Sequence, residues 1–297
     1  MPFQPLHFNK TMSNNTDSDR YPPITDERIV KVGFYIASFI FGFGGNSLVI
    51  TVMSRKKQKR SIPRLFILNL AISDLSFIMI ATPVTIYTYI GKIYQNSYYC
   101  RLLTPLLTIF YFVSIFTIFS MAVHRCRLIT NPYRPKMRMR NAYIWIAAIW
   151  FSSLIIVLPL SVVSETNNGI CYENWPSINH RKAYTIALCI LQFVMPLLII
   201  GVAYARIGIY LRRSANPQSS LPALKRRKEN IQVIKTLAMI VILFVICLLP
   251  GQTVVNLADI LDILHSCLNP IVYGLSNKRF RRECIQHFFD CFTCGSK

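Results

Sequence analysis

The sequence predicts an all-α bundle of seven membrane-spanning helices followed by a short amphipathic helix on the inner membrane surface. Three observations carry that expectation. First, 53% of the 297 residues are hydrophobic and only 15% charged, against roughly a quarter charged in soluble domains. Second, seven apolar stretches fill most of the chain: Val30–Ser54, Leu65–Ile90, Leu102–Val123, Ala142–Val163, Ala183–Leu211, Val233–Val255 and Asn256–Leu275. Each meets the roughly 20-residue length of a helix that crosses the hydrocarbon core. Third, basic residues concentrate in alternate connections, as a polytopic membrane protein requires.

The connection Arg55–Arg64 carries six Lys or Arg, Arg125–Arg140 six, Arg206–Lys235 eight and Lys278–Lys297 five, leaving few of the 33 for the remaining segments. These four segments are expected to face the cytoplasm, which places the N-terminus outside. The pI near 9.9 then reflects positive-inside bias and an anionic inner leaflet, with no call for nucleic acid as a partner. The opening MPFQPLHFNKTMSNNTDSDR lacks a basic region followed by an apolar core, so span one is expected to direct insertion itself.

Three regions follow from this plan: an outer tail over residues 1–29, a seven-span domain over 30–275, and an amphipathic helix with a short inner tail over 276–297. Asn9 and Asn14 open N-x-Thr acceptor patterns in the outer tail, where glycosylation is expected. Cys100 and Cys171 are the two cysteines predicted outside, and can pair in an oxidising compartment. Past span seven, Phe280, Cys284 and Phe288 recur at i, i+4 and i+8 beside Lys278, Arg281 and Arg282. That pattern predicts a helix lying on the membrane, with Cys284, Cys291 and Cys294 as candidate palmitoylation sites.

Polar groups inside spans are costly, so those that persist are usually paired or functional. Asp74 sits mid-span in LNLAISDLSF with no basic residue within a helical turn. Asn46 in span one and Asn269 in span seven lie at comparable depth. A carboxylate on which amides and hydroxyls converge has the oxygen ligands that a small hard cation takes. Prolines at 83, 159, 196, 250 and 270 each remove a backbone hydrogen bond and favour a kink.

Read in order, the motifs are Gly45-Asn46 in span one, Leu70-Ala-Ile-Ser-Asp74-Leu in span two and Cys100 with His124-Arg125-Cys126 in span three. Trp150 and Pro159 follow in span four, Pro196 and Tyr204 in span five, Phe244 with Cys247-Leu-Leu-Pro250 in span six, and Asn269-Pro270-Ile-Val-Tyr273 in span seven. Over roughly residues 30–290 this series resembles the rhodopsin-like G-protein-coupled receptors. Ser266-Cys267-Leu268 ahead of Asn269-Pro270 resembles their neuropeptide branch. More loosely, the outer stretch Ile170–Pro176 with Arg181-Lys182-Ala-Tyr184 is similar to receptors for neuropeptide FF and other RFamide peptides.

The resemblance implies an activity without catalysis, in which an extracellular peptide shifts a helix-bundle equilibrium and exposes an inner surface to a heterotrimeric G protein at the plasma membrane. It implies no cofactor beyond an allosteric sodium ion at Asp74, Ser114, Ser266 and Asn269. Ile115, Pro196 and Phe244 would form the packing switch below the ligand, with Pro250 and Pro270 as pivots. Arg125, Tyr204 and Tyr273 would rearrange when the inner ends separate. For a cationic, amidated peptide the outer-side carboxylates to receive it are Glu173 and Asp259, with Asp262 a turn deeper.

Three features depart from the family pattern. His124 stands where an Asp or Glu usually precedes Arg125, Leu248 stands where a Trp is frequent, and only 20 positions separate Pro250 from Pro270. The last shortens one wall of the expected ligand pocket and raises the alternative of a receptor-derived chain that does not signal. A transporter is the other alternative, with Asp74, Asp259 and Asp262 in ion coupling, although the chain shows no internal repeat of the kind many transporters carry.

Overall fold

The computed structural model describes residues 26–54, 61–90, 95–131, 133, 135, 137–167, 169–213, 263–270, 281, 282 and 284. Its helices are α1 (Asp26–Ser54), α2 (Ile62–Ile90), α3 (Thr104–Thr130), α4 (Met139–Val163), α5 (Ile178–Cys189) and α6 (Met195–Arg213). A π-turn at Tyr99–Leu103 leads into α3, and a second at Ile190–Val194 joins α5 to α6 as one crossing. Five helical segments among the described residues are long and apolar enough to cross a membrane. Residues 263–270 are helical as well, within the predicted seventh span. Span six and the rest of span seven lie outside the described residues.

The helices overrun the apolar stretches at several ends. α2 begins at Ile62, and α3 runs on to Thr130. Hydropathy marks only the hydrocarbon slab, whereas helical hydrogen bonding continues into the headgroup layer. At its inner end α1 is closed by Arg64, whose Nε donates to the Met53 carbonyl at 2.8 Å and whose Nη2 donates to that of Val52 at 2.5 Å. A guanidinium there satisfies carbonyls that a helix C-terminus leaves unpaired and complements its dipole.

In lipid the hydrophobic effect does not hold helices together; close packing and interhelical hydrogen bonds do. α3 sits between α2, α4 and α6. Its inner half joins Phe66, Leu70, Ile118, Met121, Ala203 and Ile207 in one buried cluster, and its middle joins Phe112, Phe116, Val157, Leu160 and Leu188 in another. Two indoles pin α4: Trp150 Nε1 donates to Asn69 Oδ1 at 2.9 Å, and Trp145 Nε1 to Ser120 Oγ at 2.9 Å. Asn69 in turn donates to Thr117 Oγ1 at 2.8 Å.

α1 approaches α2 and residues 263–270 through two glycines. A Cβ on Gly42 would stand 2.5 Å from Ile78 Cδ1 and 2.8 Å from Cys267 Sγ, and one on Gly45 would stand 2.9 Å from Pro270 Cβ. No side chain fits at either place without the neighbours moving. Asn46 is buried at this joint, where its Nδ2 donates to the Gly42 and Ser266 carbonyls at 2.9 and 3.1 Å.

Outside the bundle, β1 (Ser164–Asn167) and β2 (Ile170–Glu173) pair as an antiparallel hairpin with Thr166 opposite Cys171. Gly169 turns it with φ of 75°, a conformation that favours a residue without Cβ.

Candidate functional site

Asp74 is fully buried near the middle of α2 and collects partners from two other spans. Ser114 in α3 donates its hydroxyl to Oδ1, and Asn269 donates its side-chain amide to Oδ2 at 2.7 Å. Ser266 also reaches the carboxylate. Ser73, beside Asp74 on α2, lies 3.0 Å from the Ser114 hydroxyl. All five side chains are at most 2% exposed. A carboxylate at this depth is tolerable only when hydrogen-bonded and charge-compensated. The three hydroxyls and the carboxylate also offer the oxygen donors that a hard monovalent cation takes. The sequence places these residues in three different spans, and the fold brings them to one point.

Of the other predicted switch residues, the structure places Ile115, His124 and Arg125 on α3, Pro196 and Tyr204 on α6, and Pro270 beside α1. Ile115, 3% exposed, packs in the middle cluster, against which Met195 of α6 also rests. Pro196 is the second residue of α6, immediately after the π-turn. Met195 N–H still reaches back to the Ile190 carbonyl, and the wider π register accommodates the donor that proline lacks. Tyr204 is half-buried against the inner cluster, and its hydroxyl is buried with no hydrogen-bond partner among the described residues. Arg125 is half-buried at the inner end of α3. The His124 ring next to it lies 6.1 Å from that of Phe66 in α2, tilted by 51°. Pro270 packs on Gly45, as described above. Phe244, Pro250, Tyr273 and Leu248 lie outside the described residues, as does most of the stretch between Pro250 and Pro270.

At the hairpin end of the bundle, Cys100 and Cys171 are joined in a disulfide with Cα atoms 5.5 Å apart. It ties the start of span three to β2. Gln95 reinforces the tie: its Oε1 accepts from the Cys171 amide at 2.8 Å, and its own N–H donates to the Gly169 carbonyl at 3.1 Å. Arg101 Nε donates to the Ser164 carbonyl at 2.9 Å and lies 3.6 Å from Glu165. Glu165 also accepts from the Tyr172 hydroxyl at 2.7 Å, and this bond raises the phenol's pKa above its ordinary value.

Glu173, a candidate ligand carboxylate, is occupied within the protein. Its Oε2 accepts from Trp175 Nε1 at 2.7 Å and lies 3.8 Å from Arg181 Nε. Trp175 packs on Tyr184, ring centroids 4.9 Å apart, at the mouth of span five. Glu173 therefore shapes the rim of the bundle whatever it does for a ligand. The other two carboxylates, Asp259 and Asp262, lie outside the described residues, as do the acceptor sites Asn9 and Asn14. Cys291, Cys294, Phe280 and Phe288 lie outside them too. Cys284 is described: it is half-buried against the inner cluster, while Arg281 and Arg282 are exposed.

Two residues at the site escape a reading by motif. Gln192 lies in the π-turn of span five and is 2% exposed, because the extra residue in that turn rotates it inward. Gln95 sits before span three in an unremarkable polar stretch. Only its distance of five residues from Cys100 hints at a part in holding the hairpin.

Residues 45–273 match the family described as "7 transmembrane receptor (rhodopsin family)". The chain is also similar to "Galanin receptor type 1" of Rattus norvegicus, 28% identical over 321 residues that cover 96% of this chain and 91% of that one. It is 30% identical to "Galanin receptor 2b" of Danio rerio over 314 residues, covering 97% and 81% of the two chains. With "Galanin receptor 2a" of Danio rerio it shares 31% over 271 residues, covering 82% and 74%. The first alignment runs over more positions than this chain has residues, so that relative carries segments with no counterpart here.

Proposed function

Since this chain belongs to the rhodopsin family of seven-transmembrane receptors, we propose that it is a plasma-membrane receptor, N-terminus outside, that an extracellular peptide activates and that acts on a heterotrimeric G protein. The peptide assignment rests on the similarity to galanin receptors over more than four-fifths of the chain. It makes galanin the first probe, ahead of the RFamide peptides.

The observation that carries a switching role is the buried junction at Asp74. One carboxylate joins α2, α3 and span seven through Ser114 and Asn269, so any movement of span seven must break or exchange those bonds. Asp74, Ser114 and Ser266 would hold a sodium ion by their oxygens. When bound, the ion supplies a positive charge that compensates the carboxylate and favours the closed arrangement of the three spans. Asn269 orients Asp74 through its amide hydrogens. Tyr204 brings a buried hydroxyl to the Arg125 end of the bundle, with no hydrogen-bond partner among the described residues. Arg125 and Tyr273 are its expected partners once the helix ends separate there.

Pairing this receptor with a purified G protein in vesicles tests the reading. Galanin, or an amidated peptide from a panel, is expected to accelerate guanine-nucleotide exchange. A chain that binds no peptide and exchanges no nucleotide, yet carries solute across the same vesicles, would be a transporter instead.

A further inference from the structure

The end of α1 and the start of α2 are held together through one side chain. Arg64, in the first turn of α2, donates from Nε to the Met53 carbonyl at 2.8 Å and from Nη2 to the Val52 carbonyl at 2.5 Å. Both carbonyls belong to the last turn of α1, where a helix leaves its acceptors unpaired. A clasp of this kind opens when a stronger acceptor reaches the same guanidinium.

Ser61 is placed to carry such an acceptor. It is exposed and stands outside α2. Its one hydrogen bond among the described residues is the one its carbonyl accepts from Leu65 N–H at 3.1 Å, so the hydroxyl is uncommitted. The same bond closes the first helical turn, and residues three apart on such a turn are neighbours, with Cβ atoms about 5–6 Å apart. Arg64 is therefore within reach of a group carried on Ser61.

The sequence ahead of Ser61 supplies the recognition. Arg55, Lys56, Lys57, Lys59 and Arg60 put five cations into the six residues before it. A serine behind such a run suits a kinase whose peptide cleft is acidic, by charge complementarity. Other hydroxyls at this end lack the combination. Ser54 is exposed but helical and lies ahead of the basic run, and the Thr130 hydroxyl donates to the Cys126 carbonyl at 2.8 Å.

We infer that Ser61 is a phosphorylation site for a serine kinase that reads basic residues, and that the phosphate opens the Arg64 clasp between spans one and two. The inference rests on the proposed cytoplasmic placement of this connection. In the transfer the Ser61 Oγ bonds to the γ-phosphorus of ATP, and the bond from that phosphorus to the β–γ bridging oxygen breaks. ADP leaves with that oxygen, and the hydroxyl proton passes to the kinase's catalytic carboxylate.

Phosphoserine carries about −1.5 to −2 charge and three strong acceptor oxygens. A carbonyl is a neutral acceptor, whereas guanidinium and phosphate pair bidentately and more strongly. Arg64 accordingly turns to the phosphate, and the Val52 and Met53 carbonyls lose their donor. The new negative charge also stands near the C-terminal end of α1, where the helix dipole is itself negative. Both effects loosen the last turn of the helix whose Asn46 is bonded to the Ser266 carbonyl.

The test uses the full chain in phosphatidylcholine nanodiscs, which leave both faces open, with ATP and, in separate reactions, the catalytic subunits of cyclic-AMP-dependent kinase and protein kinase C. Neither peptide nor G protein takes part, so failure here leaves the proposed function standing. Mass mapping is expected to find phosphate on Ser61 and none on Ser54. Hydrogen exchange at residues 50–54 should then rise about tenfold, the scale of one lost charge-assisted hydrogen bond, while residues 139–143 exchange as before. Arg64→Gln should raise the same exchange without phosphate and make phosphorylation silent there. Kinase-treated Ser61→Ala should exchange like the unmodified chain. No phosphate on Ser61 with either kinase would overturn the site. Phosphate on Ser61 with unchanged exchange at residues 50–54, or an equal rise in treated Ser61→Ala, would overturn the clasp.

Discussion

Asn269 donates its side-chain amide to the Asp74 carboxylate at 2.7 Å across 195 residues of sequence, and both side chains are at most 2% exposed. That bond, with the one from Ser114, makes the carboxyl group a joint between three spans. Asp74→Asn keeps the shape but removes the charge that would attract a cation. Ligand-free and peptide-stimulated nucleotide exchange should then become insensitive to replacing sodium with a bulky organic cation, whereas the native chain should show lower basal exchange in sodium. Equal sodium dependence in the two proteins would remove the ion from the proposed function.

Ser114→Ala takes away a hydroxyl without adding an atom. It leaves Asp74 Oδ1 short of a buried donor, which typically costs about 1–3 kcal/mol, and more when the group is charged. Thermal unfolding of the detergent-purified chain should register this as a lowered midpoint. Ser76→Ala should not, because Ser76 is only half-buried and bonds the carbonyl of Ile72 on its own helix.

Much of the bundle was legible before the structure, and the reasons are physical. Hydropathy reports the hydrocarbon slab, so the five described crossings follow from composition alone, and Lys/Arg counts supply an expected direction for them. Which face of each helix turns inward does not, since lipid-facing and core-facing residues are alike apolar: Phe41 and Phe66 read the same, yet one is 71% exposed and the other 1%. Asp74 and Asn269 stand out in the sequence as polar groups inside spans, whereas Ser114 and Ser266 could be anticipated only because they match a known series of motifs. Nothing local announces that Trp150 will find Asn69, that Arg64 will close α1, or that a π-turn will bury Gln192. Each depends on helix rotation, which is settled by contacts between spans distant in sequence.

The outer hairpin should depend on its disulfide. Loss of a native bridge costs about 2–5 kcal/mol in small secreted domains, and here Cys100–Cys171 also anchors the network of Gln95, Arg101 and Glu165. Cys100→Ala and Cys171→Ala are each expected to depress surface expression strongly. Tyr172→Phe removes only the bond to exposed Glu165 and should leave expression intact. Because the Tyr172 phenol is raised above its ordinary value of 10.0, its bond persists below that pH and is lost as pH climbs through the raised pKa. Hydrogen exchange at β1 and β2 should accordingly show no contribution from this bond to pH dependence between about pH 5 and 8, well below an unperturbed phenol's pKa near 10.

Removing the Trp150 indole donor gives a test of how α4 is held. Trp150→Phe keeps most of the ring volume but leaves Asn69 Oδ1 without its 2.9 Å partner. The expected cost is about 1–3 kcal/mol, the usual penalty for a buried acceptor left unmade. Trp145→Phe should cost less, because Trp145 is 47% exposed and the Ser120 hydroxyl it donates to keeps its own bond to the Phe116 carbonyl. If the two substitutions lower the unfolding midpoint equally, the Asn69 junction holds α4 no more firmly than the Ser120 contact does.

His124 bears on signalling at rest. An acidic residue in that place would pair with the neighbouring guanidinium and hold Arg125 in the closed arrangement. A histidine beside the Phe66 ring offers no such anion. The expected consequence is a bundle whose closed state is less favoured, hence measurable nucleotide exchange without peptide. Burying a new carboxylate also costs desolvation, but at the half-buried end of α3 the adjacent Arg125 compensates it. His124→Asp should therefore lower ligand-free exchange while leaving peptide-stimulated exchange reachable at higher peptide concentration, because the closed state then has to be overcome. His124→Asn separates charge from shape: it removes the imidazole and supplies no anion, so its basal exchange should stay at the native level. Basal exchange that falls as far with Asn as with Asp would trace the effect to lost ring packing on Phe66, and the electrostatic explanation would be withdrawn.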